Sequence, residues 1–186
     1  MCELFERALV THCAPTLAGH KCGSLFTWVG CPGVDPSLCV AEADALLRHK
    51  GLRVRILKYA SDRSLIYAYR PNRLRAHLSD PAVRSFLRDK GYSCASIADD
   101  LTHLAERVNS SPEFPHEIGV FLDYPLEDVI RFIEQRGSGY CCCGCWKAYS
   151  NEREARKRFA LYDKCHRIYL SCHLRGFDVL RLTVAA

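Results

Sequence analysis

No run of apolar residues in this sequence approaches the ~20 needed to cross a bilayer, and Met1 to Arg7 carry no basic segment followed by an apolar one. Neither a membrane span nor a secretory leader is expected, and the chain reads as a soluble, cytoplasmic protein. Four signatures of common chemistry are missing as well: the G-x-x-x-x-G-K-S/T phosphate loop, the G-x-G-x-x-G turn, the H-E-x-x-H helix and the G-x-S-x-G elbow. The mechanisms behind them have no support. Repeats, low-complexity tracts and linker-like segments are also absent, so the 186 residues are expected to form one domain, 1–186.

Cysteine is what the chain has in plenty. Four of its 12 cysteines fall within five residues, at Cys141, Cys142, Cys143 and Cys145, followed by Trp146 and Lys147. Cys142 and Cys145 form a C-x-x-C pair and Cys143 and Cys145 a C-x-C pair, either of which suits a soft metal or a redox disulfide. Zinc or an iron–sulfur cluster would be the expected cofactor, but no second C-x-x-C or H-x-H pair stands at fixed spacing to complete a ligand set. In a reducing compartment the remaining thiols stay free. Cys39, Cys94, Cys165 and Cys172 sit among apolar residues at helical spacing and read as core.

The net charge of +5 conceals segregation. Residues 48–90 hold 12 Lys or Arg against 3 Asp, while residues 91–135 hold 2 against 9 acidic residues. A basic segment of this kind can meet an acidic protein or an anionic ligand; nucleic acid and membrane partners are not expected. The plainer reading is that the acidic segment packs beside the basic one, or that both are solvated faces.

Asp or Ser followed by Pro marks helix starts and Gly marks stops, which bounds helices from Asp35-Pro36 to Gly51 and from Asp80-Pro81 to Gly91. Ile97, Leu101, Leu104 and Val108 define a third, with Asp99, Asp100, His103 and Glu106 on its polar face. Pro125 to Gly137 and a long segment capped by Ser150 and ending at Gly176 add two more, the last with Leu161, Cys165, Ile168 and Cys172 on one face. The cysteine cluster then falls in a loop. Leu52 to Lys58 and Ser64 to Arg70, joined over Ala60 to Arg63, read as a hairpin; Leu25 to Val29 and Val179 to Val184 are further strands. The expected fold is α+β: a single helix-rich domain with a small antiparallel or mixed sheet built around a hairpin at 52–70.

A second chemical phrase runs from His12 to Gly19. Pro15 can open a helical turn, placing Cys13 near its free N–H groups, where a thiolate is stabilised. His116 followed by Glu117 at a helix start supplies a base with an adjacent carboxylate, so Cys13, His116 and Glu117 or His12 make a candidate nucleophile, base and orienting group. The plainer alternatives are a buried thiol and a first-turn acid. Trp146 and Lys147 offer an aromatic platform beside an ammonium, suited to a flat anionic ligand.

Three phrases, HCAPTLAG at 12–19, FPHEIGVFLDYPLEDVIRFI at 114–133 and GCWKAY at 144–149, together resemble an uncharacterised bacterial family, domain of unknown function 3793, common in anaerobic Firmicutes and related gut bacteria. The resemblance covers nearly the whole chain and carries no activity, substrate or catalytic residue. It directs attention to His12, Cys13, Ala14 and Pro15, to Pro115, His116 and Glu117, to Tyr124 and Pro125, and to Trp146 and Lys147. Thr16 and Tyr124, within these phrases, join Trp146 and Lys147 as candidate ligand-binding residues. The resembled family usually has Gly where this chain has Asp123; if that Gly serves a positive φ, Asp tolerates it better than most residues but adds a charge, and the family's positions before Trp-Lys vary widely.

Three function classes stay open. A thiol- or metal-linked redox or accessory protein would use Cys142 and Cys145. A Cys-His enzyme would use Cys13 and His116. A non-catalytic module for a ligand or a protein would use the basic hairpin and the Trp146-Lys147 strand.

Overall fold

A computed structural model describes residues 1–30, 33–60, 63–111 and 113–185. The chain begins in helix α1 (Glu3–Leu17), whose first turn carries Glu3 and Glu6 where the helix dipole favours negative charge. Phe5, Leu9, Val10, Cys13 and Leu17 recur along one face of α1 and are fully buried. That face packs on a three-stranded antiparallel sheet, β1 (Gly23–Val29), β2 (Arg53–Tyr59) and β3 (Arg63–Tyr69), in the order β1-β3-β2. Phe26 and Ile56 both lie opposite Ile66, which fixes the register; a bulge follows Ile56. The turn expected over 60–63 includes residues 61 and 62, which lie outside the described residues, as does Cys31.

Alternation along the strands separates two cores. Phe26, Trp28, Val54, Ile66 and Ala68 face α1 and helix α2 (Pro36–Leu47), which opens on the Asp35 cap, with Ser37 N–H donating to Asp35 Oδ1 at 2.8 Å, and runs into a 3-10 turn at Arg48–Lys50. On the opposite face, Leu57, Leu65, Tyr67 and Tyr69 meet α3 (Pro71–Leu78), α4 (Pro81–Asp89), α5 (Ile97–Ser110), α6 (Ile118–Phe121) and α7 (Leu126–Glu134). The acidic α5 packs beside the basic β2: Lys58 Nζ donates to the Val108 carbonyl at 3.2 Å and Asn109 Nδ2 to that of Leu57 at 2.8 Å. Asp100, expected on the polar face of α5, is buried instead, because its Oδ1 accepts from Cys94 N–H at 3.0 Å; burial raises its carboxyl pKa.

The cysteine cluster forms a hairpin rather than a loop. Strands β4 (Cys142–Cys143) and β5 (Lys147–Ala148) pair antiparallel and lead into α8 (Glu152–Leu174). The cap of α8 is Asn151, held at φ 39° with its side chain accepting from Glu154 N–H, whereas Ser150 turns to Asp128. Ala155, Tyr162 and Cys165 face inward, and Leu161 and Ile168, expected inside, are exposed. Alternation at 179–184 imitates a strand, yet Asp178 accepts from Arg181 N–H at 2.7 Å and caps a short helix, α9 (Val179–Leu182).

Buried Arg70 closes the α1 side. Its Nε donates to the Thr16 carbonyl and its Nη2 to that of Leu17, both at 2.6 Å, and Nη2 also reaches the Val184 carbonyl at 2.8 Å. These include terminal carbonyls of α1 that no helical N–H satisfies. Among the described residues, no helix is long and apolar enough to cross a membrane.

Candidate functional site

Asp128, in the first turn of α7, fastens the cysteine hairpin to the domain. Its Oδ1 accepts from Tyr149 N–H at 2.8 Å and from Ser150 N–H at 3.0 Å, and its Oδ2 accepts from Trp146 Nε1 at 2.8 Å. The carboxylate is buried, so these bonds satisfy a charge that would otherwise be costly to desolvate. Two glycines permit the close approaches around it. A Cβ on Gly119 would stand 2.8 Å from Val129 Cγ2, and one on Gly144 would stand 2.5 Å from the Phe159 ring. α6 therefore meets α7, and the hairpin turn meets α8, at distances only glycine allows.

Between α6, α7 and the hairpin lies a cavity of about 320 Å³, open to solvent. Phe114, His116, Tyr124, Phe132 and Trp146 give it an aromatic wall; Asp128, Cys143, Cys145 and Lys147 also line it. Tyr124 stacks on Trp146 at 5.2 Å, and Trp146 meets Phe159 edge-on at 4.4 Å. Tyr124 is held in place by its hydroxyl, which donates to the Cys145 carbonyl at 2.8 Å. The Lys147 ammonium is committed: it donates to the Gly137 carbonyl at 2.8 Å and lies 4.9 Å from the Tyr140 ring.

The cavity thus gathers His116, Tyr124, Trp146, Lys147 and Cys145 from the sequence candidates. Others lie elsewhere. Cys13 stands in the interior of α1, because Pro15 falls within the last turn of that helix and opens no new one. No helix start stabilises its thiolate; burial pushes the thiol up to about 12. Thr16 is buried, its hydroxyl 2.8 Å from that of Ser24. His12 stacks on Phe26 at 5.2 Å, on the α1 side of the sheet. Glu117 turns away from the cavity and accepts from the Tyr92 hydroxyl at 3.2 Å and from Arg107. Cys142 faces inward onto Trp146, Ala148 and Tyr162, so the thiols that share the cavity are Cys143 and Cys145. Among the described residues, no three His, Cys, Asp or Glu side chains are disposed to hold a metal ion.

Asp123 has a positive φ of 65°, and its charge has a partner. Its Oδ2 lies 3.4 Å from Arg158 Nη2 and accepts from Cys22 N–H at 3.3 Å. Next to this pair is Lys21, between α1 and β1, which the sequence did not single out: a lone lysine after Gly19-His20 carries no motif. It is 7% exposed, and its Nζ lies 5.1 Å from the Tyr124 ring centre and 5.7 Å from that of Tyr162. Burial lowers its pKa, with Cys145, Cys22, Cys13 and Asp123 opposing.

No curated protein and no solved structure matches the chain. A family model, described as Protein of unknown function (DUF3793), matches residues 9–183, a span that contains the sheet, the cysteine hairpin and every residue lining the cavity. The chain belongs to the DUF3793 family.

Proposed function

We propose that the protein is a binding module whose cavity takes a small, flat, largely apolar molecule. The observation that carries this reading is the wall of five aromatic side chains around about 320 Å³, a volume at the lower end of small-molecule sites. Rings of Tyr124 and Trp146 already stacked on each other offer a preformed surface to a third ring. A thiol-linked redox role draws support from a pair other than the C-x-x-C spacing suggests, since Cys143 and Cys145 are the exposed thiols that border the same cavity.

Trp146 is one of two tryptophans, so Trp28→Phe leaves a single reporter inside the site. Benzyl alcohol, 2-naphthol and cyclohexanol would be titrated against its fluorescence. Saturable change with the two aromatic compounds, weaker change with cyclohexanol, and loss of binding in Cys143→Tyr, which fills the rim, are expected. Equal responses to all three, or responses that Cys143→Tyr leaves intact, would overturn the reading.

A further inference from the structure

We propose that Cys2 and Cys39 are a redox modification site, a thiol pair that hydrogen peroxide converts to a reversible disulfide joining the start of α1 to α2. The basis is a direct contact between two sulfurs. Cys39 Sγ lies 3.7 Å from Cys2 Sγ, across 37 residues of sequence. A disulfide holds its sulfurs at about 2.05 Å, so the gap to close is within the sweep of a thiol turning about its Cα–Cβ bond. Cys2 is the N-cap residue of α1: its carbonyl accepts from the Phe5 and Glu6 N–H groups, each at 3.1 Å, while its side chain makes no capping bond. The backbone is fixed and the thiol is left to turn. Cys39 sits at the end of the first turn of α2, in the core that also holds Phe5 and Val40, and Cys2 packs against that core. Neither cysteine lines the cavity, so the site is independent of the binding reading.

Access divides the roles of the two thiols. Cys2 is half-buried and open to a small oxidant, whereas Cys39 is 4% exposed. The Cys2 sulfur attacks one oxygen of hydrogen peroxide; the O–O bond breaks and the Cys2 proton leaves with the departing oxygen as water, which makes a sulfenic acid. The Cys39 sulfur then displaces the hydroxyl from Cys2: the S–S bond forms, the S–O bond breaks, and the Cys39 proton leaves with the hydroxyl as a second water. The two thiols together lose two electrons, one peroxide is reduced to two waters, and thiol–disulfide exchange with a dithiol reverses the change. Because the resolving sulfur is already in contact, disulfide formation outruns further oxidation of Cys2 to the sulfinic acid. The bond closes a loop that contains α1 and β1, which restricts the unfolded chain and stabilises the fold.

The test exposes the whole chain to a small molar excess of hydrogen peroxide, blocks the remaining thiols with N-ethylmaleimide and maps the peptides without reduction. The peptide that contains Cys2 is expected to be linked to the one that contains Cys39, and the thermal midpoint to rise by about 5–10 °C and return with dithiothreitol. Cys2→Ser, at the half-buried position, should remove the link and the rise while leaving the midpoint of the reduced protein near that of the native chain. Cys39→Ala should remove both as well, each oxidised sample being compared with its own reduced form so that a less stable starting protein does not obscure the result. Cys2 recovered as sulfinic acid, Cys2 joined to a different cysteine, or a rise that Cys2→Ser retains would overturn the assignment.

Discussion

His166 Nδ1 lies 2.8 Å from the Thr11 carbonyl, the group that would accept from residue 15 in an unbroken helix, where Pro15 has no N–H to give. A carbonyl only accepts, so Nδ1 carries the proton and α8 supplies the donor that α1 lacks. His166→Ala is expected to cost about 0.5–1.5 kcal/mol. Pro15→Ala restores the helical N–H, so its benefit should be greater in the His166→Ala background than in the native chain. Urea denaturation of the four variants gives the coupling, and strict additivity would refute the linkage.

The pKa values of His12 and His166 are both lowered from about 6.5, by burial first; their mutual repulsion adds to this at His12, and Lys21 adds to it at His166, against the Thr11 bond and Asp163. A histidine kept neutral in the fold takes up its proton more readily once unfolded, so stability is intact above about 6.5 and declines as pH falls through the lowered values. Urea midpoints should drop between pH 7.5 and 5.5, and the drop should shrink in a His12→Gln, His166→Gln double variant. An unchanged drop would assign the effect to other groups.

Asp123 combines a left-handed backbone with an ion pair. Asp123→Asn keeps the tolerance for positive φ and loses the charge; Asp123→Ala loses both and should be the less stable by about 1 kcal/mol. Thermal unfolding in the order Asp, Asn, Ala is expected. Equal losses in the two variants would mean that the backbone geometry contributes nothing.

Gly144→Ala would place a methyl group 2.5 Å from the Phe159 ring and push the hairpin off α8. Ligand response at Trp146 should be lost with only modest loss of global stability, because the hairpin joins a small separate cluster of Trp146, Ala148, Ala155 and Tyr162. Phe159→Leu should partly restore the response. A Gly144→Ala protein that binds as before would show that the hairpin position does not shape the cavity.

The sheet and the helices at 36–47, 81–89 and 97–110 are legible in the sequence because their signals are local: Asp-Pro starts, Gly stops, four- and three-residue spacing. The misreadings have physical causes too. Val179 to Val184 alternates as a strand would, and the Asp178 cap decides otherwise. Pro15 reads as a helix start, yet α1 carries it in its final turn, where a histidine 151 residues further along replaces the missing donor. The inward face of α8 is chosen by α1 and the hairpin, which periodicity alone does not reveal. Trp146, Lys147, Tyr124 and His116 stand out in the sequence as distinctive phrases, and folding brings the four to one cavity. Lys21 was invisible because its character is conferred by what surrounds it after folding.

Arg70 joins the carbonyls of Thr16 and Leu17 to that of Val184, and the Val184 amide returns a bond to the Leu17 carbonyl at 3.1 Å. During synthesis the end of α1 thus stays unsealed until Val184 has been made, and Val179 and Leu182 join Phe5 and Leu9 in the same core. Such distant closure slows folding and leaves the edge of the α1 core incomplete until α9 is made. A nascent chain halted before α9 would present the part of that core which Val179 and Leu182 cover to chaperones.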